Sequence, residues 1–280
     1  MELSPLAVRV FGELLESRTG QQLADNRLWR VDTALQPLLR EHGVESLEAL
    51  ATAASSGSNA RLGDAIAEAL LNHESFFFRD PPAFTQLTEL IASRFHSARQ
   101  HERRLRIWSS GCSTGQEVYS LAISFAEQSH LWDGWTIDIL GTDVSRTAVD
   151  RAKTGIYSQF EIQRGLPVRQ MLRWFESKDE DWHASTDLRQ RVRFQLQSLL
   201  DPAPMGAPFD VILCRNVLLY FSGKVRTGVF EHLHKGIASD GILMLGAGET
   251  VLGQTSLFES DPESRGLYRP VVKERQSKAA

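Results

Sequence analysis

Two cysteines, Cys112 and Cys214, in a chain of 280 residues are too few for a disulfide framework or a zinc site built from thiolates, and the eight histidines show no metal-ligand spacing. No metal is expected, and the sparse thiols suit a reducing, cytoplasmic setting. Charge of one sign is also missing. Thirty-one basic and 35 acidic residues leave a net charge of −4, which argues against holding nucleic acid by bulk phosphate neutralisation. Long apolar runs are absent: Phe76-Phe77-Phe78 and Val217 to Phe221 fall far short of the ~20 residues needed to span a bilayer. Met1 to Pro5 carries no basic export signal, so neither membrane insertion nor secretion is expected. A GxGxxG fingerprint is missing too, which disfavours a cofactor held by its pyrophosphate and with it an NAD-dependent oxidoreductase.

What is present is ordinary globular composition, 42% apolar and 24% charged, at a length that fits one large and one smaller domain. The first hundred residues read as helices. Ser4-Pro5 caps a helix carrying Leu6, Val10, Phe11, Leu14 and Leu15 at helical spacing, closed by Gly20. Further helices are expected over residues 26–42, 46–54, 60–71 and 83–99, with Pro81-Pro82 forcing a break after the segment Asn72 to Asp80. From Leu105 the pattern becomes β-α-β-α, with strands at 107–108, 135–140, 209–214 and 241–245 alternating with helices. This alternation predicts an α/β fold with a doubly wound, Rossmann-like parallel sheet. Between Tyr157 and Leu200 it lapses into a charged turn and a strand-like run, read as a small inserted β-subdomain at about 160–199. The expected organisation is an all-α domain over 1–95, a linker over 96–104, an α/β domain over 105–275 and a tail over 276–280.

In such a sheet ligands bind at the carboxyl ends of the strands near the switch in strand order, so loops 109–117, 141–145 and 214–221 should line one crevice. Gly111 and Gly115 flank Cys-Ser-Thr just before a helix, a place where backbone can approach a ligand. Asp143 ends the next strand, where a carboxylate can accept from two ribose hydroxyls; by itself it reads equally well as a helix-capping aspartate. Glu117, near a helix N-terminus, serves either the helix dipole or an ammonium group. Arg79 is suited to pairing a carboxylate bidentately, although an arginine after three phenylalanines is also an ordinary surface residue. A nucleoside, a free amine and a free carboxylate together describe S-adenosyl-L-methionine (SAM).

The segments Phe76-Phe77-Phe78-Arg79-Asp80, Trp108 to Ser120, Thr142-Asp143-Val144-Ser145 and Phe209 to Phe221, followed by Gly246-Ala247-Gly248-Glu249, resemble in order the CheR-type chemotaxis receptor methyltransferases. The resemblance implies a SAM-dependent protein-glutamate O-methyltransferase with a substrate-reading helical domain, acting as a monomer on a methyl-accepting chemoreceptor or related acidic helical protein. It implies that Arg79 holds the methionyl carboxylate, Glu117 the amine and Asp143 the ribose, with Val144 and Leu199 beside the adenine. Ser75 falls at a hydroxyl position near the methionyl end, Cys214 and Arg215 on the floor, and Tyr220 close to the sulfonium. Arg215 is then the candidate for steering the acceptor carboxylate and Tyr220 for aligning the methyl group. His73 and Ser198 stand where the family usually has asparagine, the latter at the adenine. The second helix, rich in arginine in receptor-methylating members, offers only Arg27, Arg30 and Arg40 here. A SAM-dependent enzyme with another acceptor, or a module that binds SAM without turnover, would share the same cofactor residues.

Overall fold

The computed structural model describes residues 3–55, 60–264 and 266–272. Four helices come first: α1 (Pro5–Thr19), α2 (Trp29–His42), α3 (Leu47–Ser55) and α4 (Ala60–Leu70). The Ser4 hydroxyl accepts from the Ala7 N–H at the start of α1, and Gly20, at φ 76°, closes it in the left-handed conformation that glycine adopts without strain. One helical turn at Asp25–Arg27 precedes α2, so α2 begins three residues later than the periodicity suggests, and Pro37 is accommodated inside it. Phe11, Leu15, Leu35, Leu50 and Ile66 are among the side chains that close this helical core.

There follow α5 (Pro81–Ala98), β1 (Arg104–Ser110), α6 (Gln116–Glu127), β2 (Thr136–Asp143), α7 (Arg146–Thr154), β3 (Ile156–Ser158), α8 (Gln159–Gln163), α9 (Val168–Trp174), β4 (Phe175–Lys178), β5 (Asp181–Ala184), α10 (Thr186–Gln190) and β6 (Val192–Leu196). Beyond them lie β7 (Phe209–Cys214), α11 (Gly223–Gly236), β8 (Ile237–Leu245), β9 (Phe258–Ser260) and β10 (Leu267–Pro270). The main sheet runs β6-β2-β1-β7-β8-β10-β9, parallel except for β10, which is antiparallel to both neighbours. Continuous burial of β7, every residue of which is inside, is what a strand covered on both faces requires. The chain crosses from one side of β1 (β2, β6) to the other (β7, β8), and the carboxyl ends of β1, β2 and β7 meet at that switch.

Two expected boundaries move. Helix α5 packs with the sheet, since Phe84, Leu87, Ile91 and Phe95 share a core with Ile107, Val118 and Leu213, whereas the α1–α4 core ends at Leu71. The packing therefore divides near residues 72–77, not at 95, and the expected linker is partly α5 and partly an ion-paired turn: Arg99 bonds Asp210 and Asp240. The inserted sheet is β3-β5-β4, antiparallel throughout, and occupies 156–184. The strand-like run expected to belong to it, 192–196, pairs instead with β2 as the edge of the main sheet, with Val192 opposite Ile139.

Candidate functional site

A cleft opens over the carboxyl ends of β1, β2 and β7. Of the residues selected from sequence, His73, Ser75, Arg79, Gly111, Glu117, Asp143, Arg215 and Tyr220 line it. Backbone that proteins seldom use borders it: Ser113 and Asn216 in the lining, and Phe78 and Asp80 on either side of Arg79, all have positive φ, between 48° and 66°. Such residues cost of order 1–3 kcal/mol each and persist where the surroundings hold them.

Asp143 is fixed by the turn it follows. One carboxylate oxygen accepts from the Ser113 N–H (2.8 Å) and the other from the Ser145 N–H (2.9 Å), so both point along the cleft wall in a set direction. Burial raises its pKa above the ordinary value, against the lowering effect of those two N–H donors. The loop before α6 is tied down in turn, with the Gly111 and Cys112 N–H groups both donating to the Thr142 carbonyl. Gly111 needs its positive φ of 73°. Gly115 is demanded by its positive φ of 93° and by packing: a Cβ there would lie 2.9 Å from Ala152 and 3.0 Å from the Phe194 ring.

Glu117 and Arg215 form one unit. The Glu117 carboxylate accepts from the Ser109 hydroxyl (2.8 Å) and from Arg215 Nη1 (2.9 Å), while Arg215 Nη2 donates to the Arg79 carbonyl (2.9 Å) and lies 3.7 Å from Asp80. The Arg215 side chain is 2% exposed. Two of its guanidinium nitrogens are taken beneath the cleft by Glu117 and by the backbone of Arg79, while its buried Nε has no partner among the described residues. Arg79 itself stacks near Phe76, 5.2 Å from the ring centroid, and donates to the Glu74 carbonyl at 3.3 Å.

Tyr220 closes the other end. Its hydroxyl accepts from Asn72 Nδ2 at 2.6 Å, Asn72 Oδ1 accepts from Arg30 Nη1 at 3.0 Å, and the Arg27 guanidinium lies over the ring at 4.4 Å. The loop bearing Arg215 and Tyr220 is anchored by Glu249, whose carboxylate accepts from the N–H groups of Asn216, Val217, Leu218, Leu219 and Gly246.

Four expected residues stand apart from this cleft. Cys214 is wholly buried in the core around Trp108 and Leu243, and burial raises its thiol pKa. Val144 lines a neighbouring open hollow with Glu68, Thr147 and Leu196. Ser198 and Leu199 sit in the turn after β6, where the Ser198 hydroxyl accepts from the Leu200 N–H and Leu199 is buried against the core of β7 and β8. Cys112 takes the place expected for Cys214 in the lining, with its thiol held protonated by burial and by the nearby charges of Asp143 and Glu117. Residues overlooked in the sequence, Gln21, Asn72, Ser113 and Asn216, also line the cleft. Only the left-handed preference of asparagine offered a signal for any of them, at Asn216. Among the described residues no group of three or more His, Cys, Asp or Glu could hold a metal ion, and no helix is long and apolar enough to cross a membrane.

Comparison with known proteins gives the same residues a family. A model described as CheR methyltransferase, SAM binding domain, matches residues 73–266. The chemotaxis protein methyltransferase of Vibrio anguillarum is 32% identical over 260 residues, covering 92% of this chain and 94% of that protein. Chemotaxis protein methyltransferase Cher2 of Pseudomonas putida is 33% identical over 271 residues (95% and 98%), and chemotaxis protein methyltransferase 1 of Pseudomonas aeruginosa is 32% identical over 246 residues (86% and 89%). The matched segment begins at His73, where the packing leaves the helical core, and takes in Arg79, Glu117, Asp143, Arg215 and Tyr220. The chain thus belongs to the CheR methyltransferases and is a SAM-dependent methyltransferase.

Proposed function

We propose that this enzyme methylates glutamate side chains of a chemoreceptor-like protein, forming methyl esters, and that it works as a monomer in the cytoplasm. The observation that carries the reading is the convergence of Asp143, Glu117 and Arg79 on one cleft. Their chemistry fits the three ends of SAM. The set carboxylate of Asp143 suits the ribose hydroxyls, Glu117 the ammonium and Arg79 the carboxylate, with His73, Ser75 and Gly111 along the path. Arg215 spreads its charge over Glu117 and the Arg79 carbonyl, and so positions both. Val144, Ser198, Leu199 and Cys214 then act from behind the lining.

When bound, SAM supplies a methyl group on a sulfonium, which an ionised carboxylate attacks without a general base. A glutamate of pKa about 4.3 is already ionised at neutral pH, so the chain has no proton to remove. Its work is to place and partly desolvate the incoming carboxylate, where orientation alone can be worth ~7–11 kcal/mol. Tyr220 fits this role. Its hydroxyl oxygen accepts from Asn72, which leaves its own proton free to point at an acceptor oxygen.

The test is methyl transfer from labelled SAM to receptor-enriched membranes. Label released as methanol by mild base is the expected result; base-stable label would overturn the ester reading, and transfer only to other fractions would overturn the receptor as acceptor. A non-receptor acceptor is favoured by one observation. Arg27 and Arg30, two of the three basic residues from 27 to 42 noted above, are turned onto Tyr220 and Asn72, so few remain to read an acidic helix.

A further inference from the structure

We propose that Gln21, a residue of the helical region outside the matched SAM-binding segment, is a cofactor-binding residue whose side-chain carbonyl accepts a hydrogen bond from the 6-amino group of the adenine. The inference rests on the cofactor reading above. Gln21 is 7% exposed and lines the cleft, yet its Oε1 has no hydrogen-bond partner among the described residues. A buried amide oxygen left without a donor costs about 1–3 kcal/mol, so its retention calls for a donor that arrives with a ligand.

The backbone explains why the side chain is held there. Between α1 and α2 the chain meets the far loop at one isolated bridge: Gln21 bridges Phe221, and the Gln22 N–H donates to the Tyr220 carbonyl at 2.8 Å. The Gln21 N–H is itself satisfied by the Thr19 hydroxyl at 3.2 Å. Behind it Gly20 sits tightly against Leu200, where an added Cβ would come within 2.9 Å of the side chain, beside the turn of Ser198 and Leu199. The N–H groups of Gly20, Gln21 and Gln22 are thus all bonded, and the segment is held in position without using the Gln21 amide.

Which donor it meets follows by elimination along the cleft. Asp143 suits the ribose hydroxyls and Glu117 the ammonium. The adenine amine is the one strong donor of SAM that Asp143 and Glu117 leave unserved; the third acidic lining residue, Glu74, is paired with Arg164, and Gln21 shares the cleft with Leu71 while the Gly20 before it packs on Leu200. Ser198 offers no substitute, since its hydroxyl accepts from the Leu200 N–H in the turn.

Calorimetry with two probes tests this: S-adenosylhomocysteine and its 6-deamino analogue, which carries hydrogen in place of the amine. Wild type should bind the analogue about tenfold more weakly, the worth of one buried hydrogen bond. In Gln21→Leu, S-adenosylhomocysteine should lose about tenfold and the two probes should bind within about twofold of each other; Gln21→Glu, which keeps the acceptor, should restore the preference. A merely structural role would weaken both probes equally and leave the tenfold ratio intact, which overturns the proposal, as does equal binding of the two by wild type. Failure of wild type to bind S-adenosylhomocysteine at all would instead strike the cofactor reading. Thermal unfolding of the unliganded variants shows that each is folded.

Discussion

Replacing Arg215 by methionine separates two accounts of this enzyme. Arg215 Nη1 and Glu117 Oε2 are 2.9 Å apart, with the arginine side chain 2% and the glutamate side chain 15% exposed. Removing one partner of such a pair leaves a buried charge uncompensated, at a cost of about 3–5 kcal/mol. That should lower Tm by roughly 6–15 °C for a chain of this size. Adding Glu117→Gln removes the orphaned charge, so the double variant should be less damaged than the sum of the singles, with a coupling of about 2 kcal/mol. Because the guanidinium also holds the Arg79 carbonyl, Arg215→Met should weaken S-adenosylhomocysteine binding at least about tenfold by calorimetry. An arginine that steered only the acceptor would behave otherwise: Tm and cofactor affinity would stay at wild-type values while methyl transfer fell. That result, or strict additivity of the two substitutions, would refute the structural account.

Glu249→Ala should cost about 2–4 kcal/mol, because five backbone N–H groups of the 216–219 loop and Gly246 lose one acceptor; unchanged chemical denaturation would count against the anchoring role. Asp143 has its pKa raised by burial, so the charged form is disfavoured in the folded state and its cost is absent below the ordinary 3.8 and complete above the raised value. Since ribose hydroxyls need the ionised form, S-adenosylhomocysteine affinity should fall as pH drops through that raised value, and a calorimetric pH series on Asp143→Asn should be flat and weak throughout. Asp240 is shifted the other way, its pKa lowered chiefly by the hydrogen bonds from Arg99. Its stabilisation is present above the ordinary 3.8 and lost as pH falls through the lower folded value, so Arg99→Gln should flatten that part of the acid-unfolding profile followed by circular dichroism.

The residues legible in the sequence were those whose position along a strand or helix decides their place. Asp143 ends a strand, Glu117 opens a helix, and Arg79 precedes a proline break, so the switch in strand order brings all three to one crevice. Residues whose roles depend on distant partners left no periodic trace. Asn72 meets Tyr220 across 148 positions, and Gln21 reaches the cleft only because the α1–α2 connection pairs with Phe221. Glu249 sits in a glycine-rich loop, where nothing local says that its carboxylate gathers a loop 30 residues away. The misplaced end of the insertion has a similar cause. Residues 192–196 have the same alternation whether they pair in a small sheet or at the edge of a large one, and only their register with β2 decides between them.

The helical region acts on the cleft at three points, two of them in its lining, and each contact acts on a different part of the site. Glu68 on α4 accepts from the Ser145 hydroxyl and the Thr147 N–H, so it steadies the turn whose Ser145 N–H orients Asp143. Asn72 fixes the hydroxyl of Tyr220, with Arg30 of α2 fixing Asn72. Gln21 presents its unpartnered carbonyl from the segment paired with Phe221. A helical domain packed apart from the cleft would leave Asp143 and Tyr220 to be held by the α/β domain alone. Here Glu68 steadies the turn that orients Asp143, Asn72 holds the Tyr220 hydroxyl, and Gln21 forms part of the lining. Displacing these helices would therefore disturb Asp143, Tyr220 and Gln21 together.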